Sequence, residues 1–207
     1  MKSIIVVLLF GVASLSAQTS VGLLGGISYR GNDYTRYDFN YSPISWNDGL
    51  TLGIQGETAL TNRLSLRASI EYSHYAFDHF RYLGAAPPEY RLGTSRGDDS
   101  HTYRIMLEGS YAIRLSQFFT PIVFTGIGYA EERNGQIWYT LVDDINNQQI
   151  QGHTPSRFRA FLFHSIGVGF QSYFTSDLGV EVVAKNLSNY NDRFHQSINL
   201  GLIYRLK

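Results

Sequence analysis

The chain closes with residues 197–207, SINLGLIYRLK, in which apolar and polar side chains alternate almost strictly. One parity of this stretch holds Ile198, Leu200, Leu202, Tyr204 and Leu206. The other parity holds Ser197, Asn199, Gly201, Arg205 and Lys207, with Ile203 as its apolar exception. A period of two is typical of a β-strand with one apolar and one polar face. Chain ends usually fray, so a two-faced strand here needs a partner on its edge and an apolar surrounding for one face.

The same alternation recurs in segments of roughly ten residues, the length of a transmembrane β-strand. The other segments span residues 21–30, 50–60, 64–73, 103–114, 123–130, 162–171 and 178–185. One set of charged residues shares the non-apolar parity of these segments: Glu57, Arg67, Glu71, Arg104, Glu108, Arg114, Glu181 and Lys185. A lipid-facing Arg or Lys at the bilayer midplane costs about 2–4 kcal/mol, so this parity is expected to face a lumen.

The connections between the segments alternate in length. Short ones lie at 61–63, 116–118 and 175–177, and long ones at 31–48, 78–101, 131–157 and 186–196. This is the arrangement of an outer-membrane barrel, with short periplasmic turns and long extracellular loops. In a soluble sandwich the charges would line the solvent face, so parity alone leaves that alternative open.

We therefore predict an all-β fold, an eight-stranded antiparallel transmembrane β-barrel with up-and-down meander order. The last strand should pair with the first, because unpaired backbone groups cannot be left in lipid. The strand is then expected to run to the terminus because closure requires it.

Composition narrows the function classes. The net charge is zero, which does not favour a nucleic-acid surface. Cysteine is absent, which excludes disulfides, thiolate metal sites and a cysteine nucleophile. No cofactor or metal site is predicted. Two adjacent acids, as at Asp98-Asp99 or Asp143-Asp144, are weak support for calcium.

The first residues have the pattern of a secretory signal peptide. Lys2 precedes an apolar run over residues 4–13, and small residues follow up to Ala17. The run is shorter than the roughly 20 residues of a membrane-spanning helix. We expect residues 1–17 to be removed and residues 18–207 to form the barrel domain of an exported protein.

Several segments carry a resemblance to the small outer-membrane β-barrels of Gram-negative bacteria, the porin-like or OmpA/OmpX type. They are GLLGGISYR (22–30), PIVFTGIGYAEER (121–133), FHSIGVGFQSYF (163–174), LGVEVVAKNLSN (178–189) and INLGLIYRL (198–206). The resemblance covers residues 18–207 and implies a location in the outer membrane, in contact with outer-membrane lipid and lipopolysaccharide. It says little about activity, because fold does not imply function.

The inward charges are predicted to form a lumen charge network of paired groups. An eight-stranded barrel is just wide enough for side chains to fill it, which favours a plugged lumen over a narrow ion channel. A wide diffusion pore needs about 16–18 strands.

A lipid A-modifying enzyme is a second alternative, since one family of small barrels is a deacylase with serine, histidine and a carboxylate. His195 and Ser197 have a His-x-Ser spacing, and Ser73-His74 is another pair. No carboxylate follows Ser197, and its parity is inward whereas a lipid approaches from outside. No catalytic residue is therefore predicted, and the protein is expected not to be an enzyme.

The long loops are the remaining place for function. Aromatic residues of the kind that dominate binding hot spots occur there: Tyr37, Phe39, Tyr41, Trp46 and Trp138. Others, such as Tyr103 and Tyr129, fit an interfacial girdle. We expect a monomeric structural or surface-interaction protein with an envelope partner bound through its loops and no nucleic acid.

Overall fold

The computed structural model describes residues 19–30, 48–77, 90–113, 116, 118–143, 145–146, 148–189 and 194–206. The strands in these ranges are β1 (Thr19–Arg30), β2 (Asp48–Ala59), β3 (Leu64–Tyr75), β4 (Tyr90–Gly97), β5 (Ser100–Ala112), β6 (Thr120–Asn134), β7 (Ile137–Asp143), β8 (Gln148–Thr154), β9 (Arg157–Tyr173), β10 (Leu178–Ser188) and β11 (Phe194–Leu206). No helix in this part of the chain is long and apolar enough to cross a membrane.

Eight of the strands close into an antiparallel barrel. Its order is β1-β11-β10-β9-β6-β5-β3-β2, so each barrel strand pairs with the next one along the chain. Strands β1 and β11 complete the circle in a register that runs from Thr19↔Leu206 to Arg30↔His195. The predicted meander barrel and its closure through the final strand are confirmed. Closure satisfies the backbone groups that an open sheet would leave exposed to lipid.

The two faces of the barrel wall differ as the alternation predicts. Large apolar side chains cover the outside and stay exposed, among them Leu23, Leu52, Leu107, Ile127, Leu162 and Leu200. The polar parity turns inward and is buried, with Arg67, Glu71 and Glu181 at 0% exposure. Ile203, the exception in the last segment, is buried inside the barrel.

The prediction that residues 78–101 and 131–157 are loops is wrong in part, because both connections contain strands. Strand β4 lies within 78–101, and β7 and β8 lie within 131–157. These strands form a separate three-stranded sheet in the order β4-β7-β8. We call it the outer sheet. The alternation that marks lipid-facing strands is weak here, because a sheet in water can carry polar side chains on either face.

Several barrel strands are also longer at the outer end than predicted. Strand β6 continues to Asn134 and β9 begins at Arg157. Strands β10 and β11 shorten the last predicted loop to residues 189–193. The fourth long connection is therefore a short one.

The lumen is less polar than a plug of charged pairs alone. One apolar cluster joins Ile122, Phe124 and Val183. A second joins Met106, Ala130, Phe163 and Leu187, with Phe161 packed against it. The Phe124 ring lies directly against Gly167, where a Cβ would clash with it.

Some predictions fall outside the described residues. They are the signal peptide at 1–17, Arg114 of the lumen charge network, and the loop aromatics Tyr37, Phe39, Tyr41 and Trp46.

Candidate functional site

The lumen holds its charged residues in three groups along the barrel axis. The group nearest the short turns is centred on Arg67. Its Nη2 lies 2.9 Å from Glu57 Oε2 and 2.6 Å from Glu181 Oε2. The amide groups of Gln55 and Gln171 donate to Glu181 at 2.8 and 2.9 Å. Arg67 and Glu181 are fully buried, so this group is a charge cluster held by multiple hydrogen bonds.

The central group is built on Lys185. Its Nζ donates to Glu71 Oε1 at 3.0 Å and to Glu108 Oε2 at 3.3 Å. All three side chains are excluded from solvent. The ring of Phe124 lies between this group and the first, 5.6 Å from Lys185 Nζ and 5.5 Å from the Arg67 guanidinium carbon. One lysine thus serves two buried carboxylates.

The outer group lies at the extracellular end of the lumen. Arg104 donates to Ser73 Oγ at 2.9 Å and to the Tyr75 hydroxyl at 2.8 Å. The Arg30 guanidinium stacks over the Tyr75 ring at 3.8 Å and lies 3.3 Å from Glu132. Arg30 also donates to Thr102 Oγ1 at 2.6 Å and to Ser100 Oγ at 2.9 Å. This layer closes the outer end of the lumen with paired groups.

A small recess remains at the periplasmic end. Its volume is about 80 Å³, and Glu57, Gln171, Tyr173 and Arg205 are among its lining residues. The Arg205 guanidinium stacks on Tyr173 at 3.5 Å. Glu57 and Gln171 belong both to the lining of this recess and to the Arg67 group.

The structure brings seven of the eight predicted network residues into the lumen, and Arg114 lies outside the described residues. Sequence reasoning left Arg30, Tyr75 and Glu132 out of the network. Arg30 shares the inward parity of Gly22 and Ser28 in segment 21–30, and Glu132 lies within the predicted long connection 131–157. Continuing the alternation of β6 beyond Ala130 would have placed Glu132 inside.

The histidine–serine pairs do not form a catalytic arrangement facing lipid. His195 and Ser197 are both buried on the inner face of β11. His195 stacks on Phe161 at 6.3 Å, and Ser197 Oγ accepts from the Asn199 amide at 3.5 Å. Ser73 also points inward, whereas His74 points outward and lies 2.9 Å from Asp99.

The outer sheet grows from the extracellular end of the barrel. Ile137, the first residue of β7, is fully buried against Tyr75 in the barrel mouth, with Phe77 and Tyr139 beside them. The same face of the sheet continues through Leu141 and Ile150. We call this apolar side the inner face of the outer sheet.

The opposite side, the outer face, carries polar and aromatic residues. Its first cross-strand row is Arg96, Trp138 and His153, as the register places them opposite one another. The Arg96 guanidinium carbon lies 5.0 Å from the Trp138 ring centroid, and the His153 ring centroid lies 5.6 Å from Trp138 on the other side. Trp138, predicted to be a loop residue, therefore belongs to a strand and is held between two basic residues.

The β7–β8 hairpin ends in a turn that Asp143 organises. The carboxylate accepts from the Ile145 and Asn146 backbone N–H groups at 2.9 and 3.1 Å and from the Asn146 side chain at 2.8 Å. These hydrogen bonds, that of the Asn146 side chain first, lower the pKa of Asp143. Ile145 stands at the tip with 83% of its surface exposed.

Aromatic residues also mark both ends of the apolar band on the barrel. Tyr103 and Tyr129 are exposed near the outer end, and Tyr111 and Tyr204 near the periplasmic end. No group of three or more His, Cys, Asp or Glu residues within the described ranges could hold a metal ion.

Comparison with known proteins identifies the fold. No protein-family model matches the sequence, and no curated protein matches it significantly. Among solved structures, the barrel is similar to Ail, the attachment invasion locus protein of Yersinia pestis, with a TM-score of 0.55 at 12% identity over 93% of this chain and 100% of that one. Neisserial surface protein A is similar with a TM-score of 0.55 at 8% identity, over 92% of this chain and 100% of that one. The outer membrane protein OprG from Pseudomonas aeruginosa is similar with a TM-score of 0.51 at 10% identity, over 91% of this chain and 94% of that one.

The chain thus has the fold of the small eight-stranded outer-membrane barrels. The exposed apolar band between two aromatic rims requires a lipid surrounding, which agrees with this fold. The protein is an outer-membrane β-barrel.

Proposed function

We propose that the protein is a non-enzymatic surface-interaction protein, in which a plugged barrel anchors the outer sheet on the extracellular side. The observation that carries this proposal is the contrast between the two parts. The lumen is filled with paired and packed side chains, whereas the outer sheet presents Arg96, His153 and Gln151 to solvent.

The arrangement of the lumen favours neither of the two alternative functions, an ion channel and a lipid-modifying enzyme. A channel needs a continuous polar path, but Phe124 and the Met106 cluster fill the space between the charged groups. A lipid-modifying enzyme needs its catalytic groups where an acyl chain can reach them. The His195 and Ser197 side chains are instead buried inside the wall.

The outer sheet has the properties of a binding surface. It is built on backbone pairing across β4, β7 and β8, which makes it more rigid than a loop, and its inner face is fixed to the barrel through Ile137. A pre-organised surface loses little conformational entropy on binding. Ail is named for attachment and invasion, and one of its structures contains the heparin analogue sucrose octasulfate. A role in contact with other surfaces is compatible with the same fold.

Site-specific photo-cross-linking in intact cells tests the proposal. A photoreactive residue replaces Gln149, on the outer face of the sheet, or Leu107, on the lipid face of β5, as the matched control. We expect macromolecular adducts with the probe at 149 that the probe at 107 does not form. Equal adducts at the two positions, or none at 149, would contradict the proposed function.

A further inference from the structure

The outer face of the outer sheet carries three hydrogen-bond donors in one row. Arg96, Trp138 and His153 occupy equivalent positions on adjacent strands, which lie about 4.8 Å apart. An arginine and an indole N–H only donate, and a histidine donates from at least one ring nitrogen. The row is therefore suited to a ligand with several acceptor oxygens.

Among the residues that the structure describes, the row has no acidic partner. No carboxylate within the described ranges lies at ion-pair distance from Arg96 or His153, and both side chains are exposed. The Arg96 guanidinium lies over the Trp138 ring, 5.0 Å from its centroid, and the exposed side chain leaves its N–H groups at the surface. A guanidinium binds sulfate or carboxylate with two parallel hydrogen bonds.

The shape of the surface selects an extended ligand. The next row of the same face contains Thr94, Thr140 and Gln151, with Thr94 Oγ1 3.4 Å from Thr140 Oγ1. Hydroxyl and amide groups beside a cationic row match the alternating hydroxyl and anionic groups of a sugar polymer. The face is an open strip, whereas small molecules usually bind in concave pockets.

We propose that this face binds an acidic polysaccharide, an extended chain of sugars bearing sulfate or carboxylate groups. The anionic groups contact Arg96 and His153, and the Trp138 indole N–H donates between them. The inference rests on the proposed function and specifies the ligand class of the same surface.

The test uses the full chain in nanodiscs that contain no lipopolysaccharide, so that the added polymer is the only anionic sugar. The probes are dextran sulfate and unsulfated dextran of the same chain length. In a Trp46→Phe background Trp138 is the remaining tryptophan, and its fluorescence reports binding at the row itself. We expect a salt-sensitive response to dextran sulfate and none to dextran.

Variants separate the row from general electrostatics. The double variant Arg96→Gln/His153→Gln should weaken binding by about tenfold or more. Arg96→Lys should also weaken binding, but less, since lysine keeps the positive charge and lacks the paired N–H donors of the planar guanidinium. Arg133→Gln is the matched control, because the Arg133 guanidinium carbon also lies over an aromatic ring, 5.8 Å from the Phe158 centroid, but Arg133 belongs to barrel strand β6. It should leave binding unchanged.

Equal losses with Arg96→Gln and Arg133→Gln, or equal affinity for the two dextrans, would overturn the proposal. The two proposals can fail separately. Protein adducts at position 149 together with no preference for dextran sulfate would retain the surface-interaction function and reject the polysaccharide. Absence of both signals would reject both.

Discussion

Single buried charges determine how the lumen is filled. Lys185 forms ion pairs with both Glu71 and Glu108, and Arg67 forms ion pairs with both Glu57 and Glu181. Each of these residues is acceptable inside the barrel only because its partners are present, since an unpaired buried charge is costly. The pairs therefore act as a set, and loss of one member affects the others.

Lys185→Met should destabilise the barrel by about 3–5 kcal/mol, because it leaves Glu108 without its cation and Glu71 with only Arg104, at 3.9 Å. Unfolding by urea in lipid vesicles measures the change. Asp99→Asn is the control, since it breaks the exposed pair with His74 and should cost about 1 kcal/mol or less. Similar losses for both variants would show that the central group is not held by Lys185.

A second residue-scale prediction concerns the close approach of strands β5 and β6. A Cβ at Gly126 would lie 2.6 Å from the Glu108 Cα and closer still to the Leu107 carbonyl oxygen. Gly126→Ala should therefore cost about 1–3 kcal/mol through overpacking. At Gly109 the nearest atom would be 4.0 Å away, so Gly109→Ala should change stability by about 0.5 kcal/mol or less. The same urea titration compares the two variants. If Gly126→Ala left the free energy of unfolding unchanged, the steric argument would be refuted.

At the scale of the element, each barrel strand joins a lipid face to a lumen face. On β5 the lipid face runs from Tyr103 through Leu107 to Tyr111, and the alternate residues Arg104 and Glu108 face inward. The depth of a position along this face sets the cost of a charge there.

Leu107→Arg, in the middle of the β5 lipid face, should cost about 2–4 kcal/mol. Tyr103→Arg, near the outer rim, should cost about 0–1 kcal/mol, because the side chain reaches the polar interface. Reversible folding into vesicles gives both free energies. Equal costs at the two depths would argue against lipid contact of this face.

The outer sheet is a second element whose stability can be separated from that of the barrel. Replacing residues 138–153 by a short Gly-Ser turn keeps Ile137 in the mouth and should leave the barrel's free energy of unfolding within about 1 kcal/mol. Barrel closure depends on pairs that do not involve β4, β7 or β8. Failure of the shortened chain to insert into vesicles would mean that the sheet is part of the folding unit.

At the scale of the whole molecule, the proposed function combines a filled barrel with the outer sheet as its binding surface. The filling of the barrel depends on apolar residues as well as ion pairs, because Phe124 separates the Arg67 and Lys185 groups. The purified chain in a planar bilayer should therefore give no discrete unitary openings. Regular openings that disappear in Arg67→Gln would instead assign an ion path to the lumen.

The sequence predicted the barrel but less of the site. Parity assigned Arg67, Glu71, Glu108 and Glu181 to the inner wall, because a local period of two is enough to separate lipid from lumen. It could not assign partners. Arg67 and Glu181 are separated by 114 positions and meet only across the closed barrel. Their pairing depends on shear and side-chain length, which no local pattern contains.

The sequence by itself determined which face of each barrel strand contacts lipid, because the alternation in β1 or β11 indicates which side chains face hydrocarbon. Only the tertiary structure decided that β4, β7 and β8 join into a sheet and that Arg96, Trp138 and His153 form one row. The physical reason is the surrounding medium. Lipid imposes the same apolar face on every strand and leaves a repeating pattern, whereas water imposes none, so a sheet in water is specified by the particular contacts it makes.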